Sequence, residues 1–320
     1  FHTRRQLSPI ARGGVRLRQV VAGLAPLLSN GRNGGQGRNG KREHSEWHHD
    51  GSFILEAASF MPRVTDQHDI RRILRRDPVW GVYARGDLAP AMFAKTLWFT
   101  PDLTLVLHDF GTSILFAMGP GSIREALDHV TWPVHLQVHA DALDEIGRHA
   151  TVSGARQMWR MGWQGPPNHL RRGFGGQEGG RHINRAHAVR LGAGDVPALQ
   201  QLYADGDATG EAPDFFFPSM VTAGVFHGIY EHGALVAAAG THLLSREEGA
   251  AAIGNVYTRR DCRGRGLGRL VTSAVIASLA GIETVGLNVR ADNQPALQLY
   301  ESLGFVRHCP FYEGLATARK

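Results

Sequence analysis

The sequence predicts an α/β protein with a mixed sheet, arranged as two lobes of similar element order. Three observations carry that reading. Residues 250–258 (AAAIGNVYT) form a short β-prone run, residues 263–268 (RGRGLG) a glycine-rich turn, and the residues after it an apolar helix pattern. In that pattern Leu267, Leu270, Val271, Ala274, Val275 and Ser278 recur at the i, i+3, i+4, i+7 spacing of a buried face. A succession of helices, a strand meander and then alternating helices and strands reads twice, over residues 61–165 and 186–320. With 320 residues and 42% hydrophobic content, the chain has enough apolar material for two cores of ordinary size.

Residues 1–60 differ from the rest. The tract at 29–41 (SNGRNGGQGRNGK) has nothing to bury and reads as a solvated, disordered basic extension, preceded by a short frayed helix at 15–28. Its Arg-rich start superficially resembles an organellar transit peptide. A second expectation carries more weight: no methionine precedes Met61, patterning begins there, and Met61 is read as a native start. From that point a capped helix is expected at 65–76, strands at 95–100, 103–109 and 113–118, a helix at 122–130, a strand at 134–140, a helix at 142–150 and a strand at 156–163. This first lobe reads as a degenerate copy of the second, or as an unrelated α/β lobe. Gly119-Pro120-Gly121-Ser122 stands where the second lobe has its glycine turn.

The Gly/Pro-rich run at 166–185 reads as a linker. The second lobe then opens with a strand at 188–191 and a helix carrying Leu199, Leu202 and Tyr203, with Asp195 as its N-cap. An acidic and aromatic loop with a short helix follows at 205–217. A hairpin at 225–231 and 234–243 turns at His232-Gly233. After the glycine turn and its helix come a strand at 283–289, a helix at 295–303 closed by Gly304, and a last strand at 305–312.

Composition excludes several classes of function. The net charge of +6 resides mostly in residues 1–60, where nine Lys and Arg face four acids; of the chain's 35 basic and 29 acidic residues, 26 and 25 remain for 61–320. A near-neutral body does not present a phosphate-backbone footprint, so no nucleic-acid partner is expected. No window reaches the ~18 apolar residues of a membrane helix, and no membrane partner is expected. Cys262 and Cys309 are too few for a disulfide framework and show no zinc spacing, so a cytoplasmic location and no metal are expected.

Glycines let a backbone approach a ligand, and a helix start offers unpaired N–H groups and the positive end of its dipole, so the turn at 263–268 is suited to phosphate. It is neither a Walker loop, since Arg269-Leu270 follows its last glycine, nor G-x-G-x-x-G. It does read R-x-x-G-x-G through Arg263, Gly266 and Gly268. Downstream, residues 293–305 (NQPALQLYESLGF) read N-x-x-A-x-x-L-Y-x-x-x-G-F. On these two motifs residues 186–315 resemble the GCN5-related N-acetyltransferase (GNAT) superfamily. The resemblance implies the GNAT fold and acetyl-CoA as acyl donor. It further implies that main-chain groups of Val256, Tyr257 and Thr258 pair with pantetheine, and that the amides of Gly264, Arg265, Gly266, Leu267, Gly268 and Arg269 hold the pyrophosphate. Arg263 and Arg265 would add charged contacts or remain solvated surface groups, and Asn293 would hold the cofactor or cap its helix.

The same resemblance places Tyr300 beside the sulfur as the acid that protonates the departing thiolate; the alternative is an ordinary half-buried helix aromatic. No general base stands out among Glu211, Asp214, His227, Glu231 and His242, and Asn255 occupies a strand position where relatives carry a base carboxylate. Phe215-Phe216-Phe217 would line the acceptor pocket or pack between the lobes. The expected activity is direct acetyl transfer to the amine of a small molecule, less readily of a protein, by a monomer or homodimer. The rival is a regulatory or scaffolding protein that binds acetyl-CoA without using it.

Overall fold

A computed structural model describes residues 63–109, 111–165, 187–213 and 215–319. The expectations for residues 1–60, for Met61 and for the linker at 166–185 lie outside the described residues. So does Asp214. The first lobe runs α1 (Gln67–Leu74), α2 (Val82–Gly86), α3 (Pro90–Phe93), β1 (Thr96–Phe99), β2 (Thr104–Asp109), β3 (Thr112–Ala117), α4 (Ile123–Leu127), β4 (Val134–Val138), α5 (Ala140–His149) and β5 (Ala150–Trp163). The second runs β6 (Val189–Arg190), α6 (Val196–Ala204), α7 (Ser219–Ala223), β7 (Phe226–Glu231), β8 (Ala234–Ser245), β9 (Ala250–Thr258), α8 (Leu267–Ser278), β10 (Thr284–Arg290), α9 (Gln294–Ser302) and β11 (Phe305–Ala318).

The described strands join one mixed sheet in the order β1-β2-β3-β4-β11-β5-β10-β9-β8-β7-β6. Each half holds an antiparallel meander, β1–β3 or β7–β9. A helix crossover then leads to a parallel neighbour, β3 to β4 and β9 to β10. The final strands are exchanged. β5 of the first lobe pairs with β10, while β11 of the second pairs with β4 and β5. This exchange explains why β5 and β11 each run 14 residues, well beyond the expected 156–163 and 305–312. Both are flanked on two sides, and the ladder holds them extended.

Side chains alternate across β5. Trp159 and Met161 enter the core beneath α8 and α9 with Val271, Leu287 and Leu297, while Met158 joins Trp80, Trp98 and Phe311 beneath α1 and α2. The α2 helix continues onto the second lobe. A Cβ added to Gly86 would fall 2.0 Å from Leu243 Cδ1, and one added to Gly286 would lie 2.9 Å from Val82 Cγ1. The lobes therefore touch through backbone that only glycine leaves bare.

Several local expectations change. The α2, α3 and α7 helices were not anticipated, being four or five residues long and too short to show a period. Leu270, expected on the buried face of α8, is 44% exposed; that face is built by Leu267, Val271, Thr272 and Val275. Asp195 stands at the N-cap of α6, but its carboxylate turns back to accept from the Gly192 N–H and the Tyr230 hydroxyl. Asp66 does cap α1, accepting from the His68 N–H at 2.7 Å.

Candidate active site

The turn before α8 holds Gly264 and Gly266 at φ +77° each, a conformation that costs an L-residue about 1–2 kcal/mol. A Cβ at either would meet nothing within 4 Å, so backbone conformation rather than crowding calls for glycine, and the space before the loop is open. Gly268 differs. Its Cβ would lie 3.3 Å from both Leu299 Cδ1 and Thr258 Oγ1, where the helix start presses on α9 and β9. The Leu270 N–H finds Gly266 O at 3.1 Å, whereas the amides of Leu267, Gly268 and Arg269 have no main-chain acceptor among the described residues. Three unspent donors at the positive end of a 12-residue helix fit an anion.

The surrounding arginines are already engaged. Arg263 forks onto Glu211 at 3.0 and 3.3 Å, gives its Nε–H to Thr258 O and lies 5.6 Å from the centre of the Tyr257 ring. Arg265 forks onto Glu231 at 2.9 and 2.6 Å, and Arg269 donates to Ser302 Oγ. These pairs hold the Glu211 and Glu231 carboxyls below their ordinary range, first through the arginine hydrogen bonds. Both carboxylates are thereby committed to arginine partners. Asn293 Oδ1 accepts from the Ala296 N–H at 3.2 Å and caps α9.

Beyond the loop the sheet opens. β9 and β10 pair only from Ala250↔Thr284 to Ile253↔Leu287. Asn255 then takes φ +53°, and its carbonyl accepts from the Tyr203 hydroxyl at 2.9 Å. From there β9 stays with β8 and β10 with β5, leaving the facing edges at Val256, Tyr257 and Thr258 without a strand partner. An unpaired edge of this kind can receive an extended, amide-bearing ligand.

In the first lobe the parallel strand pair stays closed. β3 and β4 pair from Ser113↔Val134 to Phe116↔Gln137, almost to the end of β3. In the loop at 119–122 the Asp102 carboxylate accepts from the Gly121 N–H at 3.0 Å, and a Cβ at Gly119 would stand 2.9 Å from it. The chain supplies its own anion there.

Groups from both lobes pack on the two faces of the central strands. Tyr300 is 8% exposed, packs edge-on against Phe305, and has no hydrogen-bond partner for its hydroxyl among the described residues; burial pushes it up to about 12. On the opposite face, Tyr83 of α2 places its hydroxyl 3.4 Å from His242 Nδ1. Burial raises the Tyr83 phenol, with Arg160 opposing and Glu313 and Tyr300 adding to the shift. His242 is pulled down to about 4 by burial, which the neighbouring Asn255 opposes. Phe215 meets His242 edge-on at 6.0 Å, while Phe216 packs into the core with Tyr203 and Phe226. The aromatic run thus divides between pocket and core.

The remaining candidates separate from this place. His227 faces α8, with Nε2 2.9 Å from Ser278 Oγ. Cys262 is buried, and burial raises its thiol; Cys309 is pushed up to about 11 for the same reason, so neither presents a thiolate. No cluster of metal-binding side chains occurs among the described residues. Sequence reasoning passed over Tyr83, Arg160, Asn288 and Glu313. Of these Arg160 was legible, since a charge in the run MWRMGW sits among residues that bury both faces of a strand.

Residues 198–305 match the model of the family described as Acetyltransferase (GNAT) family. The chain is similar to the mycothiol acetyltransferase of Paenarthrobacter aurescens (strain TC1), 36% identical over 102 residues, or 30% of each chain. It is also similar to that of Rhodococcus jostii (strain RHA1), 45% identical over 73 residues, 21% of this chain and 23% of the relative. The matched segments span between 22% and 30% of the length of these curated relatives. A crystal structure from Novosphingobium aromaticivorans DSM 12444, described as belonging to the GNAT family, shares the fold at TM-score 0.51 and 21% identity. It covers 75% of this chain and 97% of its own.

Proposed function

We propose, from the premise that residues 198–305 form an acetyltransferase domain of the GNAT family, that the protein transfers an acetyl group from acetyl-CoA to the amine of a small molecule. The observation that carries this reading is the coincidence of three unspent amides at the start of α8 with a β9 edge left open where β9 parts from β10. The amides of Leu267, Gly268 and Arg269 fit a diphosphate, with the glycine turn bringing Gly264, Arg265 and Gly266 alongside, and the edge at Val256, Tyr257 and Thr258 fits a pantetheine amide. When bound there, acetyl-CoA supplies an activated thioester carbonyl.

Tyr300 holds its proton at any physiological pH, because burial disfavours the phenolate. Its Oη gives that proton to the thiolate as the C–S bond breaks. His242, pulled down to about 4 by its apolar surroundings, resists taking a proton, so the proton that the amine loses as the C–N bond forms passes to solvent. Solvent returns a proton to the phenol, and the cycle closes with one amide and one thiol formed. The first lobe, a copy of the same topology whose anion place is taken by Asp102, would serve the acceptor side through Tyr83 rather than hold a second acetyl-CoA.

Thiol release from acetyl-CoA against a panel of small amines tests the proposal, alongside calorimetry with coenzyme A. Heat on binding and thiol release with some amine are expected. Binding with no turnover across the panel would favour a silent acetyl-CoA-binding protein, and no binding would overturn the assignment.

A further inference from the structure

Arg160 is wholly buried, and its Nε, Nη1 and Nη2 atoms have no hydrogen-bond partner among the described residues. The rings of Trp80, Tyr83 and Phe311 surround it, their centres 4.9, 4.5 and 5.2 Å from Cζ. Ring faces stabilise the charge but leave the guanidinium's five in-plane N–H donors unspent. A buried arginine kept for structure alone looks different in this same molecule. Arg85, 2% exposed, donates to Thr284 Oγ1 at 2.8 Å and to Glu248 O. An unpaired buried guanidinium is expensive, and such groups persist where a partner arrives from outside.

The surroundings indicate what that partner is. Arg160 stands in register with Asn288 on β10, and Asn288 Oδ1 is also buried with no partner among the described residues. Asn288 Nδ2 donates to Glu313 Oε1 at 2.9 Å, and the Glu313 charge is felt by both Arg160 and Tyr83. The cluster therefore sets a cation with spare planar donors near the Asn288–Glu313 pair and against the Tyr83 ring. A guanidinium fork matches a carboxylate. Of the three rings that cover it, Trp80 and Phe311 are sealed, whereas Tyr83 is half-buried and held by one long contact of 3.4 Å to His242.

We propose that Arg160 recognises a carboxylate on the amine acceptor, so that the acceptor is an amino acid, admitted when the Tyr83 ring turns aside. Glu313 and Asn288 face the acceptor's amino end. This rests on the acetyl transfer proposed above and narrows its acceptor.

The test uses matched pairs, alanine against ethylamine and phenylalanine against phenethylamine, with acetylation followed by thiol release. In the wild-type protein the acid of at least one pair should exceed its decarboxylated partner by about 100-fold in kcat/KM, the scale of an unmatched buried charge. Arg160→Met should abolish that preference and leave the affinity for coenzyme A, read by calorimetry, unchanged. Independently of turnover, the productive amino acid should change Trp80 fluorescence, a signal absent in Trp80→Phe. Equal use of acids and bare amines by the wild type would overturn the proposal, as would an undiminished preference in Arg160→Met. If Arg160→Met does not fold, the wild-type pairs decide alone. Failure of the parent reading looks different: no amine of either kind would release thiol, while the Trp80 titration would still report whether a carboxylate enters.

Discussion

At the scale of single residues, the gap is governed by groups that burial holds in one protonation state. Burial holds the Tyr300 phenol protonated, and its hydroxyl has no hydrogen-bond partner among the described residues, as the proposed role of acid requires. Tyr300→Phe should therefore lower kcat by about 100-fold, the range for loss of a positioned proton donor, with the acetyl-CoA KM little changed. Steady-state kinetics check this, and full activity would return Tyr300 to a packing role. His242 makes a prediction about stability. Its value falls from the ordinary 6.5 to about 4 on folding, so between those limits the unfolded chain binds a proton that the folded chain refuses. Stability should accordingly be intact above pH 6.5 and decline by roughly 3 kcal/mol as pH falls towards 4. Urea midpoints measured across that range should fall for the wild type and fall less for His242→Gln. Arg160 shows why the pocket was hard to read beforehand. Its place in an apolar run marked it as buried, but the three rings that cage it come from positions 80, 83 and 311, which nothing local connects.

At the scale of elements, the legible parts were those with a local cause. The succession strand, glycine turn, helix was written in positions needing φ > 0 and in an apolar helix period, and the structure places β9, Gly264, Gly266 and α8 accordingly. The Asn293 cap was equally local. What stayed hidden arises across the sheet: the parting of β9 from β10, the Arg263–Glu211 and Arg265–Glu231 pairs, and the reach of α2 over the second lobe. The helix start yields a direct test. Gly266→Ala meets no atom, so its effect is confined to the strain of a positive φ, about 1–2 kcal/mol. Relaxing that strain turns the amides of Leu267 to Arg269 away from their common direction. Coenzyme A should bind about tenfold more weakly by calorimetry, with an unchanged circular dichroism spectrum. Unaltered affinity would dissociate the glycine turn from anion binding.

At the scale of the whole molecule, the exchanged strands make two similar halves into one folding unit. The β11 strand pairs with β5 from Phe305↔Trp163 to Ala318↔Ala150, and β5 in turn carries β10. Each ladder bond contributes about 1 kcal/mol net, and residues 158–163 of β5 enter the cores on both sheet faces, so neither half has a complete core alone. A chain cut between residues 165 and 187 should therefore remain whole. With a specific protease site placed in the glycine-rich sequence there, the nicked fragments should co-elute on gel filtration. Urea should unfold them in one transition, seen alike by circular dichroism and by tryptophan fluorescence. The same nick should leave acceptor specificity in place, since Tyr83 and Arg160 reach the second lobe through packing and strand pairing rather than through the connecting chain. Fragments that separate under native conditions, or two resolved transitions, would mean that the lobes stand apart and that the acceptor pocket is not built by both.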